Sequence, residues 1–116
     1  MMPDPEEFAR EWIASWNAHD LDRVLSHYSE DFEMSSPYIM QFTGGRTGTI
    51  RGKEQVRAYW SRALERTPDL QFKHVKTYVG ANSVAIHYHG ARGKTAVEVL
   101  VFGPDGLVQR AAAHYD

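Results

Sequence analysis

The sequence predicts an α+β domain in which three helices pack on one face of a curved, mostly antiparallel sheet. In three segments up to residue 66, apolar residues recur every three or four positions, the helical period. From residue 70 onward, β-rich segments alternate with turn residues. Between two of those segments lies Gly103-Pro104-Asp105-Gly106, a hairpin turn in which proline presets the first central φ and glycine accepts a positive one. Helices first and hairpins afterwards give segregated layers rather than alternating βαβ units.

The first helix starts at Asp4, a capping residue followed by Pro5 at the first helical position and Glu7 three residues after the cap. Phe8, Trp12 and Trp16 then fall every fourth residue, with Ile13 beside them, on one broad apolar face. Asp20 opens a second helix with the stripe Leu21, Val24, Leu25 and Tyr28. Residues 32–36 read as a short strand ended by Pro37, and residues 38–51 as a Gly- and Thr-rich loop long enough for a lid or rim. A third helix spans residues 53–66, with Val56, Tyr59, Trp60, Ala63 and Leu64 on one side, and Thr67-Pro68 stops it. Strands are expected over residues 70–79, 84–89, 94–102 and 107–115, with a weaker turn at Ala91-Arg92-Gly93.

At 116 residues the chain is expected to form one domain across its length. A net charge of −2 gives no electrostatic reason to expect nucleic acid or an anionic membrane as partner. Without cysteine there can be no disulfide, no thiolate nucleophile and no Cys-based zinc site. The acidic start, Met1-Met2-Pro3-Asp4-Pro5-Glu6-Glu7, lacks the apolar core of a signal peptide, and no segment is long enough to span a bilayer, so a cytoplasmic location is expected.

Glu98 is the residue that points to chemistry. It sits in Thr95-Ala96-Val97-Glu98-Val99-Leu100-Val101-Phe102, the most apolar run of the chain. An ionised carboxylate there must be paired, neutralised or facing a cavity. The competing account is a structural ion pair with a base such as Arg110. His87 and His89 share one strand face at a spacing that could support a metal, but no third ligand is placed, so no metal or other cofactor is expected. If the turn at residues 91–93 is tight, Glu98 shares its face with Ile86 and Tyr88 instead. Trp12, Trp16, Tyr59, Trp60, Met34 and Met40 are packing residues by default, although aromatic walls also suit a ligand cavity. Ser36 is most simply a turn or cap residue.

Several short motifs carry a family likeness: Trp16-Asn17-Ala18-His19-Asp20-Leu21-Asp22, His27-Tyr28-Ser29-Glu30-Asp31-Phe32, and residues 52–60 from Gly52-Lys53-Glu54 to Tyr59-Trp60, with Phe102 to Val108 closing the series. In order and spacing, over essentially the whole chain, it resembles the nuclear-transport-factor-2-like (NTF2-like) superfamily, with its ketosteroid-isomerase and polyketide-cyclase-like (SnoaL-like) branches. The resemblance implies a cone-shaped fold, helices closing over a bent sheet around a largely apolar pocket, and a homodimer through the outer sheet face, for which Val97, Val99 and Val101 would serve. Laid against the isomerase pattern, the oxyanion-donor tyrosine falls on Trp12, the base aspartate on Ser36 and the protonated aspartate on Glu98. Two of the three groups are replaced, so steroid-type isomerisation is not expected. The polyketide-cyclase-like branch implies Glu98 and His114 as the acid–base residues. A glycine-bulged hairpin would bring His114 to the face of Glu98, whereas a β-bulge would bring Ala111, Ala113 and Tyr115 there. The expected function is cofactor-free acid–base catalysis on a small apolar carbonyl compound, with Trp12, Trp16, Met34, Ser36, Tyr59, Trp60 and Tyr88 as substrate-binding walls. The alternative is a non-catalytic ligand-binding or dimerisation module.

Overall fold

The computed structural model describes residues 2–116. Helix α1 runs Pro5–Asn17, its first turn capped by the Asp4 carboxylate, which accepts from the Glu7 N–H at 2.9 Å. Helix α2 is a short Leu21–Leu25, capped by Asp20 on the Arg23 N–H. Strand β1 then covers Tyr28–Ser35. Tyr28 therefore opens a strand instead of closing the second helical stripe, and β1 begins four residues before the expected strand.

The expected loop over residues 38–51 contains two elements. Helix α3, Pro37–Phe42, starts where Ser36 Oγ accepts from the Tyr38 N–H at 3.1 Å, and strand β2 is Thr49–Arg51. Helix α4 is Lys53–Arg66. The remaining strands are β3 (Lys73–Gly80), β4 (Ser83–His89), β5 (Thr95–Phe102) and β6 (Val108–Tyr115), with a single 3-10 turn, Ala91–Gly93, between β4 and β5. Among the described residues four α-helices are thus present where three were expected, because a six-residue helix followed closely by glycines shows too little periodicity to be read.

The six strands form one sheet in the order β2-β1-β6-β5-β4-β3, antiparallel except where β1 lies parallel to β6. Burial alternates along β5: Ala96, Glu98, Leu100 and Phe102 face the core, while the valines between them are half-buried. On β4, Val84, Ile86 and Tyr88 share the inner face. Helices α1 and α4 cover that face, burying Phe8, Trp12, Trp16, Val56 and Trp60 against it. Phe8 meets Phe102 edge-on with centroids 5.0 Å apart, and Trp16 meets Trp60 likewise at 4.9 Å, the offset geometry aromatic quadrupoles favour.

Two local devices position the site. The β5–β6 register shifts so that Val101 faces Arg110 but Phe102 faces Val108, leaving Gln109 as an extra residue on β6. That bulge reverses the inward parity of everything after it. At the other end, the Asn17 side chain clasps the chain just before β3: its Nδ2 donates to the Phe72 carbonyl at 3.0 Å and its Oδ1 accepts from the Phe72 N–H at 2.6 Å. This holds the end of α1 against the sheet edge.

Gly52 precedes α4 with φ 93, and a Cβ there would meet nothing within 4 Å. Gly52→Ala therefore isolates backbone strain, and a loss of about 1–2 kcal/mol is expected, read by urea unfolding. Gly48→Ala, whose Cβ would make ordinary contact at 3.5 Å with the Met40 terminal methyl, is the near-neutral comparison.

Candidate functional site

Between the inner sheet face and the helices lies a cavity of about 190 Å³. Trp12 and Trp16 from α1 and Tyr59 and Trp60 from α4 wall it on the helical side. Met34, Ser36, Tyr88, Glu98 and Tyr115 wall it on the sheet side, so all seven expected binding residues line it. Met40 does not; it is an exposed side chain on α3.

Glu98 is 3% exposed and stands opposite Ile86 on β4 and Ala113 on β6. Tyr88 Oη donates to its Oε1 at 3.3 Å. Among the described residues no cation lies within ion-pair distance of it; the ion pairs formed involve Glu11, Glu33 and Asp22. Arg110 sits on the exposed side of the neighbouring strand β6, opposite Val101 rather than Glu98, which removes the ion-pair account. Burial without a counter-charge disfavours the ionised form and pushes the Glu98 carboxyl from 4.5 up to about 8, against a smaller downward pull from the Tyr88 hydrogen bond. The surrounding phenols respond in kind. Burial first, and the nearby Glu98 charge second, raise Tyr28, Tyr88 and Tyr115; burial also raises Tyr59.

His114 does not belong to this group. It faces Val97 on the exposed side of the sheet, where its Nδ1 lies 3.2 Å from the Ala112 carbonyl. The physical reason is the bulge at Gln109, which turns Ala111, Ala113 and Tyr115 inward and His114 outward. Tyr115 takes the place His114 was expected to fill. Trp12, which falls at the oxyanion-donor position of the isomerase pattern, donates its indole N–H to Tyr28 Oη at 2.9 Å. Trp16 has the complementary property: its buried Nε1–H has no acceptor among the described residues. Ser36 lines the cavity, but its hydroxyl caps α3 and no base adjoins it. His87 and His89 lie on the outer face with rings 6.2 Å apart, and among the described residues no group of three or more His, Asp or Glu is placed to hold a metal ion.

Sequence reasoning missed Phe72, Leu70, Tyr38 and Lys94 as wall residues. Leu70 and Phe72 were expected to open a strand over residues 70–79 but precede β3, which starts at Lys73, and Tyr38 belongs to the helix hidden in the presumed loop.

The sequence and the fold that encloses this cavity match a known family. Residues 9–115 fit the SnoaL-like domain model. The chain belongs to the SnoaL-like family. It is 57% identical to a SnoaL-like protein of unknown function from Burkholderia thailandensis, with a TM-score of 0.93 over 97% of this chain and 93% of the other. A proposed SnoaL-like isomerase from Agrobacterium tumefaciens shares the fold at 14% identity, TM-score 0.77, over 97% of both chains. So does IdmH, a proposed polyketide cyclase from Streptomyces antibioticus, at 15% identity and TM-score 0.79, over 98% of this chain and 93% of that one. No curated protein matches the sequence. Among the described residues, no helix of this SnoaL-like chain is long and apolar enough to cross a membrane.

The raised Glu98 carboxyl has a consequence for stability. Its folded value exceeds the unfolded one, so folding carries no penalty from it below about pH 4.5, and the penalty grows as pH rises through about 8. Glu98→Gln removes that titration. The melting temperature of the variant relative to the parent should therefore rise from pH 5 to pH 8.5, by roughly 5 °C or more, since about 1 kcal/mol moves a domain of this size several degrees. Parallel melting curves for the two proteins across that range check it.

Proposed function

We propose that this SnoaL-like domain binds a small apolar carbonyl compound in its cavity and moves a proton on it, using Glu98 and neither a metal nor an organic cofactor. The observation that supports this most is the Glu98 carboxyl itself: buried, on the cavity wall, without a cation, and titrating near neutrality. A base is most useful when its pKa lies near the working pH, because enough of it is ionised and it still holds a proton firmly.

In this reading the Glu98 carboxylate takes a proton from the carbon next to the substrate carbonyl. The C–H electron pair moves into the new C=C bond and the carbonyl electrons move onto oxygen, giving an enolate. The unpartnered Trp16 indole N–H supplies a hydrogen bond to that oxygen, and Tyr88, already bonded to Glu98, keeps the carboxyl in place. Return of the proton to a different carbon completes an isomerisation. Attack of the enolate carbon on a second carbonyl of the same molecule completes a cyclisation, with the proton going to the new alkoxide. The aromatic walls exclude water and select flat, apolar substrates.

The related proteins support the chemistry only at the level of type, since those described as a proposed isomerase and a proposed cyclase share fold rather than sequence. A homodimer through the outer face of β5, where Val97, Val99 and Val101 alternate with the inward residues, is part of the same proposal. Sedimentation giving a monomeric mass would remove it.

Bicyclic aromatic ketones such as 1-tetralone serve as probes. Incubated with the protein in deuterated water, they should exchange their α-hydrogens faster than in buffer, with a rate that climbs as pH approaches about 8. Glu98→Gln should slow the exchange by roughly 100-fold or more, the usual weight of a general base, while leaving ketone binding in place. Binding without exchange in the parent protein selects the non-catalytic carrier instead.

A further inference from the structure

The cavity opens outward into a vestibule of about 760 Å³ whose walls are chemically unlike its own. Tyr38, Tyr59, Ala63, Thr67, Ala91 and Lys94 line both spaces and so form the neck between them. Beyond the neck stand Arg62 and Arg66 from α4 and Arg92 from the β4–β5 turn; with Lys94 they make four cationic side chains, and no Asp or Glu lines the vestibule. None of the four is among the described residues that pair with a carboxylate. Acidic residues outnumber basic ones in this chain, 15 to 13, so a mouth lined only by cations is a segregation that overall composition does not produce.

Arg66 has a structural account of its own, because a cation in the last turn of a helix offsets its macrodipole; Arg62 lies one turn before it. That account does not extend to Arg92 or Lys94, which come from the opposite wall. Arg92 occupies the left-handed region, φ 60 and ψ 29, where a glycine or asparagine would suit the backbone better. Turn geometry therefore does not explain an arginine at that position. Two of the cations are already held over aromatic rings at the rim: Arg62 lies 5.5 Å from the Phe42 centroid, and Lys94 lies 5.4 Å from that of Tyr38 while its Nζ donates to the Tyr38 hydroxyl at 2.8 Å.

We infer that the vestibule is an anion subsite, and that the ligand of this chain is an amphipathic acid. Its apolar ring body lies in the cavity beside the tryptophans, and a carboxylate or like anion is held at the mouth by Arg66, Arg92 and Lys94, with Arg62 behind them. The inference deepens the reading given under the proposed function and rests on it for which compound would be turned over; capture of the anion itself requires no catalysis. Guanidinium groups converging on one mouth give both bidentate contacts and electrostatic steering, which a neutral apolar compound could not use.

The chain carries its own reporter, since Trp12, Trp16 and Trp60 are all of its tryptophans and all line the cavity. The test uses energy transfer from these tryptophans to two dyes that differ in one group. 8-Anilino-1-naphthalenesulfonate bears a sulfonate, standing in for the carboxylate; N-phenyl-1-naphthylamine lacks it. The double variant Arg66→Gln/Arg92→Gln should weaken the anionic dye about tenfold and leave the neutral dye within about twofold. Added salt should weaken the anionic dye for the parent protein much more than for the variant, because screening acts on exposed charge. Lys76→Gln, on β3 away from the mouth, should change neither. Equal loss of both dyes, or a loss of the anionic dye no larger than Lys76→Gln produces, overturns the inference. The outcome is separable from the catalytic reading: Glu98→Gln that abolishes tetralone exchange while keeping the dye preference leaves the subsite standing. A lost dye preference with exchange intact removes the subsite alone.

Discussion

An acid lodged in an apolar strand without a cation is the constraint around which this molecule is arranged. Glu98 cannot be accommodated as a structural ion pair, since the basic residues of β6 point to the other side of the sheet. It cannot be hydrated as a surface group either, being almost fully enclosed. What remains is a carboxyl that holds its proton to an unusually high pH and leans on a phenol. The aromatic residues of α1, α4 and the sheet make a shell around it that is dry enough to sustain that state. In the proposed function the same shell would make the acid reactive toward a bound compound, so that one environment serves both packing and chemistry.

Keeping the acid there depends on parity. Gln109 is one extra residue on β6, and through it the inner face beside Glu98 receives Ala113 and Tyr115 in place of His114. The small Ala111 and Ala113 leave room above the strand, and Tyr115 closes the wall. A strand without the bulge would bring an imidazole to the carboxyl and a different acid–base pair. The Asn17 clasp acts at the opposite corner, where two hydrogen bonds to one backbone residue hold Phe72 against Trp12 and Tyr88.

Much of this was legible in the residues themselves. The α1 and α4 stripes and the alternation along β4 and β5 follow from period alone, because long elements repeat their signal, whereas whether Glu98 stands alone or pairs with Arg110 was open on the sequence. What could not be read depended on single residues. Whether a hairpin carries a bulge is decided by one position, and both parities of β6 were open on the sequence. The helix Pro37–Phe42 is capped by Ser36, but it is too short to show a period and is followed closely by glycines. The spent N–H of Trp12 and the free one of Trp16 are four residues apart on one helix face; only the place of Tyr28 distinguishes them. The cationic mouth was invisible because its members come from α4 and the β4–β5 turn, segments that meet only in the folded chain.

The parallel contact of β1 with β6 bears on how the molecule is made. Every other pairing in the sheet is antiparallel, and β1 has β6 on one side and only the three residues of β2 on the other. During synthesis the ribosome delivers β1 long before β6, so most of its backbone N–H and C=O groups wait without a ladder. An open edge of that kind invites pairing with other chains, and closing so distant a contact is slow. Biogenesis is therefore a stage at which this domain is exposed to aggregation.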